Sequence, residues 1–170
     1  VIGLMVLQVA KAAGAEVLIA DLSERKLELA RKLGADHIVD ASSEDLKEAV
    51  SSATDGEMAP VVFEAVGKPE TLKQMVEVAC SGARVMPIGF TGKPTDEINL
   101  SRVTLAEIDV LGILGFWHDF PISLKLMRRG LVDLRSMITQ TFPLADVEKA
   151  IRLAIERPDE VLRAVIHPQE

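Results

Sequence analysis

Apolar and polar positions along this chain switch repeatedly between a helical and a strand rhythm. Leu4, Leu7, Val9, Ala12 and Ala13 lie on one helical face, and Gly14 stands where such a helix closes on a left-handed residue. "EVLIAD" follows as an apolar run short enough for a buried strand. "SERKLELARKLG" returns to helical spacing through Leu27, Leu29, Ala30 and Leu33, with Ser23 as N-cap and Gly34 beyond the last turn. "HIVD" predicts a second strand, "SSEDLKEAVSSA" a capped helix and "PVVFEAVG" a third strand. "PETLKQMVEVAC" predicts a helix with Pro69 in its first turn, and "ARVMPIGF" a fourth strand. Strands alternating with helices over short connections predict right-handed crossovers and a parallel sheet covered on both faces.

Beyond Phe90 the rhythm loosens. "TGKPTDEINL" reads as an irregular loop, "SRVTLAE" as a short helix and "IDVLGILG" as a further strand. "DFPISLKLMRRG" reads as a helix closed by Gly130, "FPLADVEKAIRLAIE" as another and "EVLRAVIHP" as a last strand. The expected architecture is an α/β, doubly wound parallel sheet with a helix-strand appendage, divided at 1–143 and 144–170.

Composition narrows the function. The 170 residues suffice for one domain with a real core, and 48% hydrophobic with 26% charged residues is globular. A net charge of −7 repels polyanions, which argues against nucleic acid or an anionic membrane surface as partner. No apolar run reaches the roughly 18 residues that cross a bilayer. One cysteine, Cys80, rules out an internal disulfide framework and fits a reducing, cytoplasmic setting. The first residue is Val rather than Met, so a piece of a longer polypeptide, or its processed end, is expected.

Gly3 and Asp21 carry the first chemical signal. In a dinucleotide-binding unit a strand enters a G-x-G-x-x-G turn and then a helix, whose N-terminal N–H groups meet a pyrophosphate. An acidic residue roughly 20 positions on, at the end of the next strand, accepts from the ribose hydroxyls. Here Gly3 fits the third glycine, with Val1 and Ile2 before it, and Asp21 lies 18 positions later at the end of "VLIAD". The alternative from the pattern alone is a terminal glycine and an aspartate that caps the helix after it.

The chain resembles the C-terminal, cofactor-binding half of zinc-type medium-chain alcohol and polyol dehydrogenases. The resemblance spans essentially all residues and rests on "VIGLMVLQVAKAAGA", "DLSERKLELARKLGADHIVD", "VVFEAVG", "GARVMPIG" and "LVDLRSMITQTFPLADVEKAIRLA". The last of these looks most like the sorbitol branch. It implies a Rossmann-type fold whose first strand lies ahead of Val1, central in the sheet between "VLIA" and "VVFEA". Unpaired backbone groups there would cost about 1–3 kcal/mol each if buried.

The resemblance also implies roles. Asp21 would hold the adenosine ribose and favour NAD over NADP, because its carboxylate repels a 2′-phosphate. Lys26 matches a basic residue near the same ribose, while Arg25 beside it could partly accommodate a phosphate. Val66 and Gly67 match the turn beneath adenine and ribose. Ile88 and Gly89 match the backbone near the nicotinamide ribose, and Ile113, Leu114 and Gly115 the backbone at the carboxamide. Arg163 matches a basic residue against the pyrophosphate. The edge strand at Val110 to Leu114 implies a homo-oligomer through strand pairing. The tail strand at Leu162 to Ile166 is expected to be exposed, frayed or paired with another chain.

Two departures bear on function. Several polyol dehydrogenases place an arginine and an aromatic after the strand matching "LGIL", whereas this chain has Gly115 and Phe116, which puts polyol specificity in question. The family's zinc ligands lie in an N-terminal catalytic domain. Cys80, His37, His118 and His167 are scattered without ligand spacing, so no metal site and no catalytic residue are expected here. The whole enzyme would use zinc and NAD to oxidise a small alcohol or polyol. A zinc-free quinone reductase, a non-catalytic nucleotide-binding module and a Rossmann-like methyltransferase are the alternatives. The upstream sequence, and a choice between NADH and S-adenosylmethionine as ligand, would separate them.

Overall fold

The computed structural model describes residues 1–92, 94–95, 97–115, 118–157 and 160–169. Along the chain come α1 (Ile2–Ala12), β1 (Leu18–Asp21), α2 (Glu24–Lys32), β2 (His37–Asp40), α3 (Leu46–Ala53), β3 (Ala59–Glu64) and α4 (Pro69–Glu77). They are followed by β4 (Ala79–Pro87), α5 (Leu100–Leu105), β5 (Asp109–Val110), α6 (Asp119–Arg128), β6 (Ile138–Pro143), α7 (Val147–Glu156) and β7 (Arg163–His167). Every strand pair is parallel, as the alternation predicts. Gly14 and Gly34 close α1 and α2 with positive φ values of 83° and 93°, a conformation costly for any residue with a Cβ. Asp45 caps α3, accepting from the Glu48 N–H at 2.9 Å.

The strands form three separate pieces: β1–β2, β3–β4–β5 and β6–β7. The first division falls between β1 and β3, the position where the family resemblance puts a further strand. In register, Asp21 stands beside Asp40, and Glu64 beside Pro87. Two apolar clusters hold the pieces. Leu72, Met75 and Val76 of α4 pack on Ala79, Ala83 and Val85 of β4 and on Ile108. Leu4 and Leu7 of α1 pack with Ala30 of α2 and with Met137, flanked by Ile19 and Ile38. Buried Gln8 ties the same helix to the C-terminal third, its amide exchanging hydrogen bonds with the N–H and C=O of Asp133.

The structure corrects three sequence expectations. The helix expected over "PETLKQMVEVAC" ends at Glu77, and Cys80, expected within it, lies in β4, which begins at Ala79. The strand expected over "IDVLGILG" shrinks to Asp109–Val110, because Leu111 to Gly115 run on exposed and, among the described residues, have no ladder partner beyond one bond from the Leu111 N–H to the Val85 carbonyl. The tail is neither frayed nor in need of another chain. β7 pairs with β6 from Ile138 beside Arg163 to Pro143 beside His167, and Leu162 is buried. β6 itself is a strand that the sequence does not announce, since "ITQTFP" offers two large apolar side chains among three polar ones.

Candidate functional site

In a parallel α/β sheet, ligands bind beyond the carboxyl ends of the strands. β1, β3 and β4 end in Asp21, Glu64 and Pro87.

At the first of these, Asp21 Oδ1 accepts the Ser23 N–H at 3.0 Å, and Lys26 Nζ lies 3.6 Å away. The same turn meets the N-terminal end of α1. Lys26, Asp21 and Arg163 all lie near the Val1 backbone nitrogen there. Arg163, far away in sequence, is thus brought to the Asp21–Lys26 turn at the start of α1. Arg25 is directed elsewhere: its Nη1 donates to the Glu160 carbonyl at 2.8 Å, joining α2 to the tail. Gly3 faces β3, and a methyl group added to it would meet the Ala65 Cβ at 4.0 Å, an ordinary contact. Ile2 is exposed.

The ends of β3 and β4 form a tighter arrangement. Gly67 has a positive φ of 81°, and its backbone crosses that of Gly89 so closely that neither position admits a Cβ. A Cβ on Gly67 would stand 2.8 Å from the backbone N and O of Phe90; one on Gly89 would press into the Gly67 nitrogen and stand 2.6 Å from its Cα. Glu64, 4% exposed, lies beneath this crossing. Its Oε1 accepts from the Val66 N–H and the Gly67 N–H, each at 2.8 Å, and from the Thr71 hydroxyl at 2.7 Å. Val66 turns its side chain to solvent, and Ile88 is half-buried.

Other sequence-selected residues sit apart. Ile113, Leu114 and Gly115 follow β5 as exposed, irregular chain. Phe116 and Trp117 lie outside the described residues. Among the described residues no three His, Cys, Asp or Glu side chains gather in a way that could hold a metal ion, and no helix is long and apolar enough to cross a membrane. His37 bonds Glu16 at 2.9 Å, and Cys80 Sγ contacts the Ser81 carbonyl. Glu64 and Thr71 are the residues that sequence reasoning passed over. The one available signal was a glutamate set inside the apolar run "VVFEAVG".

The arrangement suits a dinucleotide. A carboxylate at the β1 end can accept from ribose hydroxyls, two cations lie close to a helix N-terminus where a pyrophosphate would be drawn, and side-chain-free turns allow close backbone approach.

Comparisons with known proteins give the family and the fold. The family model described as zinc-binding dehydrogenase matches residues 1–129. A sorbitol dehydrogenase of Bacillus subtilis (strain 168) is 27% identical over 98% of this chain and 48% of its own length. An L-threonine 3-dehydrogenase of Symbiobacterium thermophilum is 36% identical over 89% of this chain and 44% of its own length. The chain thus spans about half the length of the curated relatives it matches. Among solved structures, an Escherichia coli alcohol dehydrogenase complexed with NADH superposes with a TM-score of 0.86 at 28% identity, over 96% of this chain and 48% of the other. A zinc-binding dehydrogenase of Sinorhizobium meliloti bound to NADP gives 0.82 at 29%, over 89% and 45%.

Proposed function

Because this chain belongs to the zinc-binding dehydrogenase family, we infer that it is the NAD(H)-binding portion of an alcohol or polyol dehydrogenase, which moves hydride between a secondary alcohol and NAD. The observation that carries this reading is Asp21 at the carboxyl end of β1, with Lys26 beside it and Arg163 near the start of α1. Asp21 would accept from both hydroxyls of the adenosine ribose. The α1 N-terminus, Gly3 and Arg163 would meet the pyrophosphate, and Lys26 would neutralise charge near the ribose. Val66, Gly67, Ile88 and Gly89 would present backbone to the rest of the cofactor, and Ile113 to Gly115 to its carboxamide.

NAD is favoured over NADP because Asp21 repels a 2′-phosphate while Arg25, bonded to Glu160, is turned toward the tail. When bound, NAD supplies the hydride acceptor. Zinc, the Lewis acid of the family, finds no fitting donor set among the described residues here, and no step is assigned to it in this portion. No catalytic residue is assigned within the chain.

Residues 1–143 would form the cofactor domain, and 144–170 would meet a catalytic domain. β5 pairs on one side only among the described residues, and Val110, Leu111, Ile113 and Leu114 are exposed, which supports a homodimer through that edge. A cytoplasmic setting is supported by the lone cysteine.

The test is a titration of the intact protein with NADH and NADPH, read by the fluorescence of the reduced nicotinamide. Saturable NADH binding at least about tenfold tighter than NADPH binding is expected. Equal affinities, or tighter NADPH binding, would remove the NAD assignment; no binding of either would remove the cofactor reading.

A further inference from the structure

Glu64 is a buried carboxylate with a divided environment. Oε1 takes three donors, whereas Oε2 is buried with no hydrogen-bond partner among the described residues and lies 2.7 Å from where a Cβ on Gly89 would stand. An unpaired buried carboxylate oxygen is destabilising, so fold stability alone gives a poor account of a glutamate at this point.

Its geometry gives a better one. The Glu64 side chain fastens the turn after β3, and its main-chain carbonyl fastens the turn after β4, accepting from the Ile88 N–H at 2.7 Å and the Gly89 N–H at 3.0 Å. Both turns that cross at Gly67 and Gly89 are therefore held by one residue. The glycine backbones already touch, so they cannot close further, while the Glu64 carboxylate on one turn and the Glu64 carbonyl on the other keep them from parting. Repulsion on one side and charge-assisted hydrogen bonds on the other fix the separation within narrow limits.

We propose that Glu64 is a positioning residue for the cofactor: it sets the spacing of the two glycine turns without touching the cofactor itself, and Thr71 acts through the same oxygen. This rests on the NAD-binding reading above, with these turns as cofactor-facing backbone. The carboxylate works here as a threefold acceptor, so an amide that keeps one acceptor oxygen should preserve most of the effect.

The experiment is NADH titration of the intact protein carrying Glu64→Met, Glu64→Gln, Thr71→Val, or Glu64→Met with Thr71→Val. Each is measured well below its own thermal midpoint, so that only folded protein is compared. Glu64→Met should weaken NADH binding about tenfold, Thr71→Val about threefold, and Glu64→Gln by no more than about threefold. Adding Thr71→Val to Glu64→Met should cost no further affinity, because the carboxylate that Thr71 bonds is already gone, whereas the bonds of Thr71 with Lys68 at the start of α4 are read in the thermal midpoint. Folded Glu64→Met with wild-type affinity would overturn the proposal, as would Glu64→Gln as damaging as Glu64→Met, or additive losses in the double variant. Should Glu64→Met fail to fold, Thr71→Val decides alone: unchanged affinity overturns the proposal and a threefold loss supports it. Wild-type protein that binds no NADH would instead sink the cofactor reading, a separate result.

Discussion

Three parallel strands, β1, β2 and β3, end in a carboxylate that bonds its own following turn, yet the turns at Asp21 and Glu64 differ in nearly every other respect. Asp21 offers one oxygen to the N–H two residues on, keeps about a third of its side chain exposed, and shares its surroundings with Lys26 and Arg163. Glu64 offers one oxygen to the N–H groups two and three residues on and to Thr71, and is almost wholly buried under crossing glycine backbones. The extra methylene of glutamate lets its carboxylate fold back beneath the turn, while the shorter aspartate stays at the rim. In the NAD-binding reading proposed above, Asp21 would meet the ligand and Glu64 would hold the backbone that the ligand meets.

Substitutions can break that contrast at either end. Gly89→Ala should do the greatest damage, because its methyl has no space between the Gly67 nitrogen and Glu64 Oε2. A loss of about 4 kcal/mol or more is expected, seen as the disappearance of a cooperative thermal transition. A variant that melts like the wild type would show that the crossing has slack. At the open turn, Asp21→Asn keeps an acceptor for Ser23 but removes the charge. NADH affinity should fall about tenfold with little change in thermal stability, and a parallel loss of both would give Asp21 a structural role instead of a ligand-facing one.

Two smaller effects sharpen the comparison. Asp36 joins α1 to the β1–β2 piece: its carboxylate accepts from Lys11 Nζ and from the Val17 N–H, which hold its pKa below the ordinary carboxylate range. A depressed folded-state pKa gives stability that is present above the unfolded value and lost as pH falls through the folded one. The thermal midpoint of Asp36→Asn should therefore trail the wild type at neutral pH and converge with it as pH drops below about 4. A gap that persists into acid would assign the effect to shape rather than charge. Gly3→Ala should be nearly silent in stability, within about 0.5 kcal/mol, since its methyl would meet only the Ala65 Cβ at normal distance. Any loss of NADH affinity at unchanged melting would then report close approach of the pyrophosphate rather than packing against β3.

Much of the first hundred residues was legible because each element carries its own punctuation. Gly14 and Gly34 close helices, Ser23 and Pro69 stand at helix starts, and the β1 to β4 runs are rich in β-branched and small apolar residues. β6 escaped because a half-exposed strand of Thr, Gln and Thr has neither an apolar run nor a clean alternation, and it exists through its pairing with β7. The tail was misread for the same reason: a strand looks partnerless when its partner has not been recognised. For the site, Asp21 was visible as an acid ending an apolar run, and Arg163 through family resemblance alone. Glu64 was hidden because sequence shows a glutamate in a strand but not the carboxylate turned back under its own turn.

The parallel pieces also bear on how the chain reaches this arrangement. β1–β2, β3–β4 and β6–β7 are each joined by one intervening helix, α2, α4 or α7, so each can close over a short loop. The amide exchange between Gln8 and Asp133 spans 125 residues of sequence and has no such shortcut. It is the kind of contact that forms late and is lost early, leaving the modules to assemble locally before the first helix locks onto the last third of the chain.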